Sequence, residues 1–159
     1  MNTLDANITH ALDLALNREY SAMYLYESFE NKFIVLGLSG FGKLFSQSAA
    51  EERDHIKTFT AYMLERSYIP KMLPIDIPSG QDEMSVLSCL KLALDTELNI
   101  LESTKQLINE CNDKHLESFL TDYILSGQYK CITELSRHIN ILSTISDDAL
   151  SVWLYNTSL

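Results

Sequence analysis

The sequence predicts an all-α fold: a four-helix bundle with one long crossover between helices two and three, and a short helix at the C-terminus. Three observations predict it. Apolar residues recur at three- and four-residue spacing over four long stretches, which is the mark of amphipathic helices. Helix breakers are scarce, with three prolines and five glycines in 159 residues. All three prolines (Pro70, Pro74 and Pro78) fall between the second and third stretches, where they preclude a helix and demand an extended connection.

The first helix is expected from about residue 5 to 33, with Ile8, Ala11, Leu12, Ala15, Leu16, Ala22, Met23 and Tyr26 as its apolar stripe. About 28 residues at helical rise give a rod of roughly 42 Å. Gly37 and Gly40 break it, and a second helix follows over 41–66 on Phe41, Leu44, Phe45, Ala49, His55, Phe59 and Met63. Residues 67–81 hold every proline and Gly80; a connection of that length has to cross the bundle instead of making a hairpin. The third helix is expected over 82–109 on Val86, Leu90, Ala93, Leu94, Leu101 and Ile108, and a short turn at 111–114 leads into a fourth that ends near 144. The tail at 147–156 is apolar at Leu150, Val152, Trp153 and Leu154. One crossover among short turns gives up-down-down-up topology, in a single domain over 1–159 with the bundle at about 5–144.

Twelve basic against twenty-two acidic side chains leave a net charge of -10 with no Lys/Arg cluster, which excludes a nucleic-acid partner. The acidic balance suits cations, or solubility alone. Cys89, Cys111 and Cys131 are odd in number and not paired at motif spacing, so reduced thiols are expected. No leader pattern and no apolar run of membrane-spanning length is read from the sequence. The expectation is a cytoplasmic protein without a membrane partner.

Chemistry enters at Glu52 and His55, three residues apart and so one turn apart on one helix face. A carboxylate and an imidazole at that spacing can hold a transition metal, although the pair alone also arises on solvated faces. Phe45, Ala49, Phe59 and Met63 around it put the pair at the edge of the core-facing stripe or inside it, where a carboxylate is costly without a cation or hydrogen bonds. Glu19 is in phase with Ala22, Met23 and Tyr26; Glu97 with Leu90, Ala93, Leu94, Leu101 and Thr104; Gln128 with Ile124, Leu125, Ile132 and Leu135. Each alone reads as a boundary residue. Together, Glu19, Glu52, His55, Glu97 and Gln128 bring five polar groups from four helices to one bundle centre. Asp95 and Glu102 compete with Glu97 for the third-helix role. Cys131, one turn past Gln128, reads as a small core residue, with metal binding or oxidation as the alternative. His10, His115 and His138 read as surface or boundary residues, and Tyr20, Tyr24 and Tyr26 as packing.

These residues carry a resemblance. Over nearly its whole length the chain resembles a subunit of the ferritin family, of the non-haem bacterial type. Residues 18–26 (Arg-Glu-Tyr-Ser-Ala-Met-Tyr-Leu-Tyr) resemble the family's first-helix signature, a Glu followed by a Tyr seven residues on. Residues 51–55 (Glu-Glu-Arg-Asp-His) resemble the second-helix signature. The resemblance implies a ferritin-like bundle with a di-iron centre. Glu19 would bind one iron, Glu52 would bridge both, and His55 would complete the first site. Glu97 would ligate the second iron and Gln128 would orient that site or its water. Tyr26, hydrogen-bonded near the bridging carboxylate, would be the redox-active neighbour.

The implied activity is that of a ferroxidase, oxidising Fe(II) to Fe(III) with oxygen or peroxide and storing ferric mineral inside a 24-subunit shell of identical chains. A shell or iron-binding subunit without catalysis is the alternative. Haem is not implied, because Arg53 and the run Gln128-Tyr129-Lys130-Cys131 stand where haem-binding relatives have a Met and a second Glu-x-x-His. Of a third iron position only Glu51 survives, with Gly127 and Cys131 in place of carboxylates. The tail resembles the family's short fifth helix at the fourfold axis of the shell; folding back on its own bundle is the other reading. Reaching Gln128 from Glu97 requires a turn two to three residues shorter than the family's.

Overall fold

The computed structural model describes residues 4–76, 78, 80, 83–145 and 148–159. Asp5 opens the first helix, α1 (Ala6–Val35), with its carboxylate accepting the Asn7 amide at 2.8 Å, which satisfies one of the donors a helix start leaves unpaired. Gly37 then turns the chain at φ +72°, a conformation that suits glycine, and α2 (Ser39–Glu65) runs back along α1. The two helices join through aromatic rings. Phe45 lies edge-on to Phe29 with centroids 5.0 Å apart and stacks on Phe33 at 5.7 Å.

The crossover is pinned to α1 by polar contacts. Asp13, buried despite its charge, accepts the Tyr68 hydroxyl at 2.6 Å and the Lys71 amide at 2.9 Å. Asn17 donates to the Leu73 and Pro74 carbonyls. At the far end, Lys32 donates to the Met84 carbonyl. The connection thus travels from the N-terminal half of α1 to its C-terminal end, so α2 and α3 run in the same direction, as the up-down-down-up reading requires.

The third helix, α3 (Val86–Glu110), starts later than residue 82. Residue 82 lies outside the described residues; Ser85 caps the helix, its hydroxyl accepting the Ser88 amide at 3.1 Å. The turn after α3 is short, and Asp113 ties it to the next helix and to Arg66. Its carboxylate accepts the His115 and Leu116 amides and pairs with Arg66 at 2.6 Å, and the Arg66 guanidinium holds Asp113 below the usual carboxylate range. The expected fourth helix is not one α-helix. It divides into α4 (Lys114–Phe119), a π-helical segment (Leu120–Leu125) and α5 (Ser126–Thr144).

The tail forms α6 (Ala149–Asn156), capped by Asp148; residue 147, its expected start, lies outside the described residues. It does fold back on its own bundle. Asn156 accepts the Phe41 amide at 3.0 Å, and the Asn156 carbonyl oxygen would sit 2.0 Å from a Cβ at position 40, so only glycine fits there. Tyr155 meets His138 Nδ1 at 2.7 Å, which corrects the surface reading of His138: it is buried. Tyr24, read as packing, is exposed. On the outer side of α6, Leu150, Trp153 and Leu154 stay exposed. Among the described residues no helix is long and apolar enough to cross a membrane.

The core has two apolar lobes. One is built on Leu25, Phe29, Phe33, Phe41, Phe45 and Leu90. The other is built on Leu12, Leu16, Phe59, Met63, Leu116 and Leu120. Along α1, α2 and the α4–α5 rod the boundary between lobes falls at Glu19, Glu52 and Gln128.

Candidate metal centre

Beside that boundary lies a buried polar layer, reaching into the first lobe at Tyr26 and Glu97. Glu19, Glu52, Glu97, Gln128 and Tyr26 are each 1–2% exposed. Side chains of this kind are almost never so buried without partners.

In the half formed by α1 and α2, the i,i+3 spacing on α2 brings His55 Nδ1 to 3.0 Å from Glu52 Oε2, and the same nitrogen lies 3.3 Å from Glu19 Oε2. These three residues offer donor atoms within 4.8 Å of one another. Gly127 on α5 leaves room for the imidazole, since a Cβ there would approach His55 Nε2 to 3.3 Å.

In the other half, Tyr26 donates its hydroxyl proton to Glu97 Oε1, and Gln128 Nε2 donates to Glu97 Oε2 and, at 3.2 Å, to the Glu97 carbonyl. Tyr26 therefore bonds to the α3 carboxylate, not to the bridging candidate Glu52. Glu97 is the carboxylate that α3 sends inward: Asp95 and Glu102 are exposed, and Glu102 pairs with Lys105 at 3.1 Å. Gln128 Oε1 is buried without a hydrogen-bond partner among the described residues.

The π segment explains how α5 presents Gln128. A step of four residues drifts about 40° on an α-helix, so positions 116 and 128 would face roughly 120° apart. The wider π turn absorbs that drift, and Leu116, Leu120, Ile124 and Gln128 are all buried. Nothing in the apolar pattern announced it, because those residues sit at a plausible helical spacing either way. Asp13 was missed for a similar reason: its partners lie on the crossover, far along the chain.

Three carboxyl groups share this layer with one imidazole, and the electrostatics reflect it. Burial lifts Glu97 to about 7, against the Tyr26 hydrogen bond that lowers it. Burial also raises Glu52 well above the carboxylate range, opposed by its bond to His55 and reinforced by Glu19. For His55, burial disfavours the charge, but the bonds to Glu19 and Glu52 prevail and take it to about 11. Tyr26 is pushed up by burial and then by the charges of Glu97 and Glu52. An oxygen-rich set with one imidazole and an excess of negative charge fits a divalent transition cation, which would replace the protons these groups otherwise share.

The profile described as a ferritin-like domain matches residues 9–145. The chain belongs to the ferritin family. A ferritin heavy chain of Aedes aegypti is 30% identical over 157 residues, covering 93% of this chain and 75% of that protein. A bacterial non-heme ferritin of Staphylococcus aureus is 27% identical over 159 residues, covering 98% of this chain and 95% of that protein. Against the chloroplastic ferritin-2 of Zea mays the identity is 28%, and the chain spans 63% of that protein's length. The ferritin match takes in Glu19, Tyr26, Glu52, His55, Glu97 and Gln128, and stops short of α6.

Proposed function

We propose that this protein oxidises Fe(II) to Fe(III) at a two-iron centre inside each subunit and stores the product as ferric mineral within a shell of its own copies. The observation that carries the proposal is the polar layer itself, with three buried carboxyl groups and one half-buried imidazole brought together inside the bundle. A layer of that charge is an expensive way to build a core, and a cation is what makes it favourable.

In this reading Fe(II) is substrate. Glu19 and His55 hold the first ion, Glu52 bridges, and Glu97 holds the second. Two Fe(II) each lose one electron, and dioxygen or peroxide takes the pair together with protons from solvent. Tyr26 and Gln128 keep the Glu97 carboxylate oriented by a bond to each of its oxygens. Gln128 Oε1 is left as a buried acceptor in that half. Haem has no part, since residue 53 is Arg and α5 lacks a second Glu-x-x-His.

A shell of 24 subunits in the cytoplasm belongs to the same proposal, supported by family membership and by the exposed Leu150, Trp153 and Leu154 on α6, an apolar face suited to a neighbouring copy. The test is aerobic addition of Fe(II) to the purified protein, followed by absorbance, with the mass of the same sample measured by size exclusion. A large assembly that oxidises iron faster than buffer alone is expected. A monomer or dimer that leaves the rate at the buffer value would overturn the reading.

A further inference from the structure

Of the three thiols, one adjoins the polar layer. Cys89 is buried in the apolar lobe of Phe29 and Phe45, and Cys111 lies in the turn before α4, directed at the Ile108 carbonyl at 3.4 Å. Cys131 is different. It follows Gln128 by one turn of α5, is half-buried, and faces the Glu97 carboxyl, with Glu52 and Glu51 near enough for all three to disfavour its ionisation after burial itself. Its other side lines a small cavity of about 50 Å³ between α2 and α5, with Glu51, Glu134 and His138.

A second observation points to a ligand at the same place. Gln128 spends both bonds of its amide nitrogen on Glu97, and its oxygen is buried with no partner among the described residues. A buried acceptor without a partner and a thiol, one turn apart on α5 and both beside the Glu97 carboxyl, are donor atoms that a cation could use.

We propose that Cys131 is a further donor at the second metal position, so that Glu97, Gln128 and the Cys131 sulfur make a mixed oxygen–sulfur site for a thiophilic divalent cation such as Zn(II) or Co(II). It rests on the two-metal reading given above and adds a selectivity to it. On binding, the S–H bond breaks, the proton leaves to solvent, and a sulfur–metal bond forms, of about 2.3 Å for zinc. A thiolate favours Zn(II) and Co(II) over hard cations that prefer oxygen. Zn(II) should therefore occupy this position in competition with Fe(II).

The experiment is an anaerobic Co(II) titration of the full-length protein and of Cys131→Ser, read by absorption. Wild type is expected to develop the near-ultraviolet thiolate-to-cobalt charge-transfer band. Cys131→Ser should lose the band and bind its weaker Co(II) about tenfold or more less tightly, at least the loss that indirect changes around a metal produce. A parallel measurement needs no variant: Co(II) should protect Cys131 from alkylation, mapped by mass spectrometry, without protecting Cys111. Co(II) bound with its visible bands but no thiolate band, and with Cys131 alkylated as before, would overturn the cysteine assignment and leave the metal centre standing. No Co(II) binding at all would overturn both.

Discussion

The half of the centre on α1 and α2 and the half on α3 and α5 are assembled by different means. Glu19, Glu52 and His55 come from two helices joined by a short glycine turn and zipped by Phe29, Phe33 and Phe45. Glu97 and Gln128 come from helices joined through the Asp113 cap and a π segment, and they meet by a side-chain bond from one helix to the other. Placement in the first half follows from local geometry: three residues along α2 are one turn, whatever the rest of the chain does. Placement in the second depends on the rotation of α5 about its axis, which the π segment sets. The first half should therefore tolerate change elsewhere in the bundle, and the second should not.

The largest effect is expected where the halves share a ligand. On the proposed assignment Glu52→Ala would remove a donor from both ions, and iron oxidation should fall by more than about a hundredfold, beyond the 10–100-fold that groups behind the ligands command. Initial rates under air check it; an unchanged rate would break the assignment of Glu52. Glu97→Ala should spare the first half, so that anaerobic Co(II) titration gives one tight equivalent per subunit in place of two. A variant that loses both equivalents would mean the halves are not separable.

Deletions in the π segment sharpen the comparison further. Without Thr121, an unbroken α-helix carries Leu116 to the old Gln128 position through roughly 1,100°, within about 20° of whole turns. Metal stoichiometry should then persist. Deleting Thr121 and Asp122 together turns Gln128 away by roughly 80°, and the second equivalent should weaken. Equal behaviour of the two deletions would contradict the role given to the π turn.

The smallest effect concerns α6, which neither half touches. His138 has its pKa lowered, first by burial and then by Arg137. A depressed value means that the unfolded chain takes up a proton that the folded one refuses, so stability from His138 is present above about 6.5 and declines as pH falls through its folded value. Trp153, the sole tryptophan, reports on α6. Its emission should shift as pH is lowered from 7 to 5, and the shift should vanish in His138→Gln while Co(II) binding at pH 7 is kept.

How far the sequence could be read follows the same division. The four long helical stretches, the proline-marked crossover and the apolar tail were legible because periodicity and helix breakers are local signals. Glu19, Glu52 and His55 were legible as a group because each could be phased against apolar neighbours on its own helix. Glu97 was legible only against rivals, Asp95 and Glu102, which burial separates from it. The bond from Tyr26 to Glu97 could not be read, since two helices brought together by a crossover decide it. Nor could the π segment, whose residues repeat at a spacing that an α-helix nearly accommodates. The burial of His138 depends on α6 folding onto it, and that of Asp13 on the crossover supplying Tyr68 and the Lys71 amide, so neither is visible in local periodicity.

Two ions bound side by side and oxidised together are the centre of the proposed function. Anaerobic loading with Fe(II), followed by a pulse of dissolved oxygen and rapid-scan absorbance, measures that directly. Two Fe(II) per subunit should bind before oxygen is admitted, and both should be oxidised in one fast phase that Glu52→Ala abolishes. Fe(II) that stays unbound until oxygen arrives, oxidising at the same rate with wild type, Glu52→Ala and buffer, would contradict it.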